Sequence, residues 1–192
     1  MSNFTSAKIT GLLPQEFCHF FTHVLLRKST EPKTFHDEQV PTCLANMDHE
    51  IMFDTVLERI WPTIESIVQE ELLPTYAFSR LYQNGDTLAP HRDRPACEVS
   101  VTVQLGRSHH YSWPIYVGNE RYDLAEGDAV LYYGCEAEHW RNPCEGPDNY
   151  YAGQVFFHFV RKNGPYANEA GDATVRVSPS FVKDRTIAME SK

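Results

Sequence analysis

At Thr75 the spacing of apolar residues changes from a helical period to a strict alternation. Before that point, Phe17, Phe20, Phe21, Val24 and Leu25 mark one face of a helix predicted over Gln15 to Arg27. Ile51, Met52, Val56, Ile60, Ile64, Ile67 and Val68 mark a second helical tract over Ile51 to Leu72. After it, Tyr76, Phe78, Arg80 and Tyr82 alternate with Ala77, Ser79 and Leu81. Val99, Val101, Val103 and Leu105 alternate with Ser100, Thr102 and Gln104. Side chains two apart on a strand share a face, so the second half of the chain must lie in sheets with two distinct faces.

Turn signals divide this half into short strands. Gln83 to Asp86 and Glu126-Gly127-Asp128 are turns, and extended runs follow at Leu88 to Asp93, Tyr111 to Val117, Ala129 to Tyr133 and Tyr151 to Val160. The last run places Gln154, Phe156 and His158 on one face. Seven or eight such strands after two or three helices predict a mainly β sandwich or barrel with N-terminal helices. Pro62 implies either two helices meeting near Trp61 or a second helix opened by Pro62, with Leu72-Leu73-Pro74 as the stop. Ala7 to Thr10 reads as a first strand. Ser29 to Glu50 reads as a polar loop with an edge strand and is a candidate lid.

The chain of 192 residues is expected to form one domain. Residues 1–74 would supply helical support and a loop, 75–162 a β core, and 163–192 a polar extension. In that extension, Val175 to Val177 and Phe181-Val182 offer a further edge strand or a frayed end. A formal charge of -9 without a basic stripe counts against nucleic acid as a partner. Five scattered cysteines (Cys18, Cys43, Cys97, Cys135 and Cys144) without a C-x-x-C pair predict reduced thiols. The first residues lack a signal-peptide pattern, and no apolar run is long enough for a bilayer. A soluble, cytoplasmic protein without a membrane partner is expected; its oligomeric state is not legible.

His91 and Asp93 lie two apart in an extended run, so an imidazole and a carboxylate point the same way. His139 supplies a second imidazole beyond several strands. Two histidines and one carboxylate with open positions form the facial triad of non-haem Fe(II) oxygenases. The H-x-D triplet alone reads better as a surface turn solvated by Arg92 and Arg94. Other candidates are weaker. His19 and His23 lie four apart on a helix but lack the glutamate of a zinc-protease motif. His109-His110 falls in a polar turn, and Trp113, Trp140 and Tyr111 read as packing residues. Cys135 and Cys144 flank His139 without the paired spacings of a zinc site.

The surrounding residues carry more. Leu73-Pro74-Thr75-Tyr76-Ala77-Phe78-Ser79-Arg80-Leu81-Tyr82, Gly85-Asp86-Thr87-Leu88, His91-Arg92-Asp93-Arg94, Cys97-Glu98-Val99-Ser100 and Thr102 are followed by Gly127-Asp128-Ala129, Gly134, His139-Trp140-Arg141 and Gln154-Val155-Phe156-Phe157-His158. In order and spacing this stretch, Leu73 to Val160, resembles the Fe(II)- and 2-oxoglutarate-dependent dioxygenases, in their prolyl-hydroxylase-like branch. The resemblance implies a double-stranded β-helix, a jelly-roll or cupin-like barrel. It implies Fe(II) held by His91, Asp93 and His139, with 2-oxoglutarate as cosubstrate, O2 as oxidant and ascorbate as an optional addition. The reaction implied is hydroxylation of a C–H bond in a peptidyl prolyl, amino-acid-like or other small-molecule substrate.

By the same resemblance Tyr82 and Gln104 match positions that line the cosubstrate pocket. The family often has a lysine or arginine about ten residues after the second histidine; here that region reads Asp148-Asn149-Tyr150-Tyr151. Arg141, two residues after His139, is the nearest replacement, and a guanidinium suits a carboxylate bidentately. Its other reading is a salt bridge to Asp93 or a glutamate. Arg80 and Arg94 are further candidates, and Thr102, Gln154 and His158 are candidate pocket residues. Two other functions fit the same scaffold: a non-catalytic binding barrel, and a cupin-type metal dioxygenase that does not use 2-oxoglutarate.

Overall fold

The computed structural model describes residues 5–32 and 37–171. Within them the chain runs β1 (Ser6–Ile9), α1 (Gln15–Lys28), β2 (Ala45–Asp48), α2 (Ile51–Val68), β3 (Leu72–Gln83), β4 (Leu88–His91), β5 (Val99–Arg107), β6 (Ile115–Val117), β7 (Glu120–Tyr122), β8 (Ala129–Tyr132), β9 (His139–Arg141) and β10 (Tyr151–Arg161). The strands form a six-stranded antiparallel sheet in the order β1-β8-β5-β10-β3-β2 and a four-stranded one in the order β4-β9-β6-β7. Facing one another, they make a double-stranded β-helix, with both helices on the outer face of the larger sheet.

The alternation in the sequence builds both layers. Val99, Val101, Val103 and Leu105 point outward from β5 into a core shared with Phe21 and Leu25 of α1 and Phe53, Leu57 and Ile64 of α2. Their neighbours Ser100, Thr102 and Gln104 point between the sheets. There the two sheets share two smaller clusters. Tyr82, Ala152 and Phe156 meet Leu88, and Val130 and Tyr132 meet Ile115 and Val117. Near the turn before β8, Gly127 has φ +85°, and a Cβ there would stand 2.3 Å from the Leu13 carbonyl oxygen. Only glycine satisfies both the angle and the approach.

Several expectations need correction. The buried face of α1 is Cys18, Phe21, Thr22 and Leu25, whereas Phe17 and Phe20 are 45% and 57% exposed. The helix is turned because Thr22 Oγ1 accepts the Gly106 N–H at 2.7 Å, putting the polar Thr22 against the sheet. The second helical tract is neither two helices nor a helix opened by Pro62; α2 is continuous through it. Pro62 lies on the exposed side, and the buried residues Ile60, Trp61, Ile64 and Val68 on either side of it keep the helix on the sheet. Packing thus outweighs a proline cost of about 3 kcal/mol, since each large buried side chain contributes about 1.5–3 kcal/mol.

The helix stops at Val68, with Gln69 in the left-handed region, and Leu72-Leu73-Pro74 opens β3 rather than ending the helix. Pro74 is accommodated beside a register shift in β10 between Phe157 and Phe159, where a missing N–H is tolerated. Only Ile115–Val117 of the run from Tyr111 is a strand, and it pairs with β7, which sequence alternation did not reveal. The strand inside the Ser29 to Glu50 segment is β2, at the edge of the large sheet. Val175 to Val177 and Phe181-Val182 lie outside the described residues.

Candidate metal centre

β4 and β9 are neighbours, and His91 stands opposite His139 in their register. Asp93 follows β4 and is tied back when its N–H donates to the Gly134 carbonyl at 2.9 Å. Pairing thus gathers three residues far apart in sequence. Asp93 Oδ1 lies 3.6 Å from His91 Nε2 and 3.4 Å from His139 Nε2. Adjacent ligands on a first-row divalent ion, with bonds of about 2.1 Å, stand about 3 Å apart. The three donors fit such an ion after small inward movements.

The other ring nitrogens are committed. His91 Nδ1 bonds the Ala89 carbonyl at 2.8 Å and His139 Nδ1 the Ala137 carbonyl at 3.0 Å. A carbonyl accepts only, so each Nδ1 carries the proton and each Nε2 keeps a lone pair for metal. Ser100 donates to Asp93 Oδ2 at 2.8 Å, leaving Oδ1 turned toward the histidines. Burial would raise the Asp93 carboxyl, but the His139 and His91 side chains beside it hold it well below the usual carboxylate range. Gly134 is demanded here as well, because a Cβ would stand 2.3 Å from Asp93 Oδ2 and 2.4 Å from the Cys97 carbonyl oxygen.

The triad opens into a cavity of 550 Å³ lined by Tyr76, Phe78, Arg80, Thr102, Tyr132 and His158, among others. Thr102 bonds the Tyr132 hydroxyl at 3.2 Å. His158 Nδ1 is 3.0 Å from Ser100 Oγ, and burial pushes this imidazole down to about 4. It is therefore neutral at ordinary pH. Gln104 and Gln154, expected to line the pocket, are buried and not among its lining residues; they bond one another instead, Gln154 Nε2 donating to Gln104 Oε1 at 3.3 Å.

The three arginine candidates have different fates. Arg94 lies over the Tyr76 ring, 4.7 Å from its centroid, at the exposed lip. Arg80 is buried and its fork is filled. Nε and Nη2 donate to the two oxygens of Asp37 at 2.6 and 3.0 Å, and Nη1 donates to the Tyr82 hydroxyl at 2.7 Å. Arg141 is buried without an acidic partner among the described residues. Its Nη1 donates to the Trp113 carbonyl, and its guanidinium lies 4.9 Å from the Trp113 ring centroid. Nε and Nη2, one whole edge of the group, have no hydrogen-bond partner among the described residues. An unpaired buried guanidinium edge is costly, and burial pushes Arg141 down. This edge has the shape and charge to take a carboxylate. The Tyr82 ring packs edge-on against the same Trp113, at 4.9 Å between centroids. The triad fits a metal ion and the Arg141 edge fits a carboxylate; Arg141, Tyr82 and Gln104 are buried beside the cavity rather than among the residues that line it.

Sequence reasoning missed Asp37, which fills the Arg80 fork; Trp113 packs in the core as expected and in doing so flanks Arg141. Asp37 carries no motif; only its buried contact with Arg80 distinguishes it. The candidate lid is firmly seated over its described part: Val40 and Cys43 are buried against Tyr82 and Trp113.

No family model matches the sequence, and no curated protein does. Solved structures do match by fold. A Pseudomonas putida prolyl-4-hydroxylase has a TM-score of 0.61 at 12% identity, over 83% of this chain and 94% of that one. HygX from Streptomyces hygroscopicus, solved with nickel and 2-oxoglutarate bound, has a TM-score of 0.58 at 10% identity, over 80% and 82%. SnoN, a non-haem α-ketoglutarate-dependent epimerase from nogalamycin biosynthesis, has a TM-score of 0.61 at 10% identity, over 84% and 81%. The fold of this chain is thus the double-stranded β-helix found in 2-oxoglutarate- and Fe(II)-dependent oxygenases. Among the described residues, no helix is long and apolar enough to cross a membrane.

Proposed function

We propose that this chain is an Fe(II)- and 2-oxoglutarate-dependent dioxygenase that hydroxylates a C–H bond of a small-molecule, amino-acid-like or peptidyl prolyl substrate. The observation that carries the reading is the convergence of His91 Nε2, His139 Nε2 and Asp93 Oδ1 at the wall of one cavity. The three residues hold the metal on one side and leave the other side for reactants. Bound there, Fe(II) with 2-oxoglutarate would couple decarboxylation of the cosubstrate to succinate with oxidation of a substrate by O2.

The chain's own residues bind and orient. The open edge of Arg141 receives the distal carboxylate of 2-oxoglutarate, with the Tyr82 hydroxyl beside it. The Nδ1 bonds to Ala89 and Ala137 hold the two ligand rings at fixed tilt, and Ser100 holds Asp93 to one metal-facing oxygen. Phe78, Phe156 and Tyr132 give the cavity apolar walls that limit water. The open Arg141 edge favours this reading over a cupin-type dioxygenase working without 2-oxoglutarate. The converged nitrogen lone pairs favour it over a barrel that only binds.

Calorimetry with 2-oxoglutarate in the presence of Mn(II), an inert substitute, tests the proposal. Binding that requires the metal and is lost in His139→Ala is the expected result. No binding would favour a non-catalytic module, and oxygen uptake without 2-oxoglutarate consumption would favour the cupin-type enzyme.

A further inference from the structure

We infer that Arg80, held by Asp37, is a positioning residue that sets the direction of the Tyr82 hydroxyl toward the cosubstrate. The inference rests on the proposed use of 2-oxoglutarate and goes beyond it. Arg80 lines the cavity; its fork is closed by the buried Asp37 carboxylate, while its remaining nitrogen reaches the hydroxyl of Tyr82, two residues further along β3.

Arg80 looks like an anion anchor in the sequence, but its geometry rules out that use. Asp37 Oδ2 accepts from Nε at 2.6 Å and Oδ1 from Nη2 at 3.0 Å, and Gln39 Oε1 takes a further bond from Nη2 at 3.1 Å. Asp37 itself cannot swing away cheaply, because its Oδ1 also accepts the backbone N–H groups of Gln39 and Val40 at 3.1 and 3.0 Å. The guanidinium lies against Phe78, Tyr82 and Phe156, with centroids 5.2, 5.2 and 5.5 Å away. It is fixed from every side.

What remains is the bond from Nη1 to the Tyr82 hydroxyl, at 2.7 Å. A phenolic oxygen that accepts from a permanent cation cannot donate its own proton back along the same line. The Tyr82 proton therefore points elsewhere. Tyr82 is fully buried, and it shares the Trp113 ring with Arg141. Among the described residues this buried proton has no acceptor, and a carboxylate oxygen held on the open edge of Arg141, on the same indole, would supply one. Asp37 thus acts at third hand: it fixes Arg80, Arg80 polarises and orients Tyr82, and Tyr82 donates to the cosubstrate.

A double-substitution cycle on 2-oxoglutarate affinity tests this in the full chain with Mn(II), without oxygen. Tyr82→Phe and Arg80→Gln are each expected to raise the 2-oxoglutarate Kd by about tenfold, the size of a bond to a charged group. The double variant is expected to be no weaker than Tyr82→Phe alone within about twofold, with the Mn(II) Kd unchanged throughout. Asp37→Asn, which keeps an acceptor for the Gln39 and Val40 N–H groups, should behave as Arg80→Gln does and serves if that variant fails to fold. Additive losses near a hundredfold in the double variant, or wild-type affinity in both Arg80→Gln and Asp37→Asn, would overturn the inference while leaving 2-oxoglutarate dependence intact. A wild-type chain that binds Mn(II) but not 2-oxoglutarate would overturn both.

Discussion

Ser100 and Asp93 are joined by a hydrogen bond of 2.8 Å from the serine hydroxyl to the carboxylate oxygen that faces away from the histidines. One oxygen of Asp93 is thereby committed to the protein, and the other faces the His91 and His139 imidazoles. Removing partners of this kind costs metal proteins about 10- to 100-fold in affinity. Ser100→Ala is expected to weaken Fe(II) or Mn(II) binding within that range while the fold is kept. Metal titration followed by the loss of the free Mn(II) electron paramagnetic signal checks it; an unchanged affinity would show that Ser100 does not orient the ligand.

Gly134→Ala is predicted to be harsher than Ser100→Ala. The added methyl falls 2.3 Å from Asp93 Oδ2 and 2.8 Å from Ser100 Oγ, and the Cys97 backbone on its other side cannot yield easily. The same titration should show Mn(II) affinity falling below that of Ser100→Ala, with far-ultraviolet circular dichroism unchanged.

Arg141→Gln should separate cosubstrate from metal. Its guanidinium edge is the buried cation with open donors, so its removal is expected to raise the 2-oxoglutarate Kd by about 100-fold, corresponding to a lost charge-assisted pair of about 3 kcal/mol. The Mn(II) Kd should stay within about twofold. Equal losses for both ligands would mean that Arg141 supports the barrel rather than the anion.

His158 makes the metal-free protein sensitive to mild acid. Burial pushes its imidazole down to about 4, whereas in the unfolded chain it titrates near 6.5. Between these values the unfolded chain takes up the proton and the folded one does not, so stability falls as pH drops through this window. The full effect is on the order of 3 kcal/mol by pH 4. Asp93 adds a further loss only at lower pH, below the usual carboxylate pKa, since its folded carboxyl is held down. Urea unfolding at pH 7 and pH 5 should show a smaller difference in His158→Gln than in the wild type.

The sheets were legible because β5 alternates without interruption and its outward valines and inward polar residues each have one destination. The clustering of His91, Asp93 and His139 was legible because H-x-D at the end of an extended run already puts two side chains on one face, and only β4–β9 pairing was needed to add His139. The face of α1 was not legible, because Phe17 and Phe20 mimic a core stripe while Thr22 Oγ1, a polar contact to Gly106, decides the rotation. Nor was the arginine question. Arg80 and Arg141 are equivalent in sequence until Asp37, forty-odd positions from Arg80, closes one fork and leaves the other open.

Pro62 gives a prediction about the fold alone. It sits in the exposed face of a continuous α2 and removes one helical hydrogen bond. Pro62→Ala is expected to stabilise the protein by about 1–3 kcal/mol without changing Mn(II) affinity. Denaturant midpoints of the two proteins check this, and a destabilised variant would mean that the proline itself is required for docking on β3.

The most direct measurement is the visible spectrum of the protein with Fe(II) and 2-oxoglutarate under strict anaerobiosis. A weak charge-transfer band is predicted when all three are present, absent without 2-oxoglutarate and absent in His91→Ala and Asp93→Ala. No band from a wild-type protein shown to hold stoichiometric Fe(II), or an identical band in the ligand variants, would contradict the account.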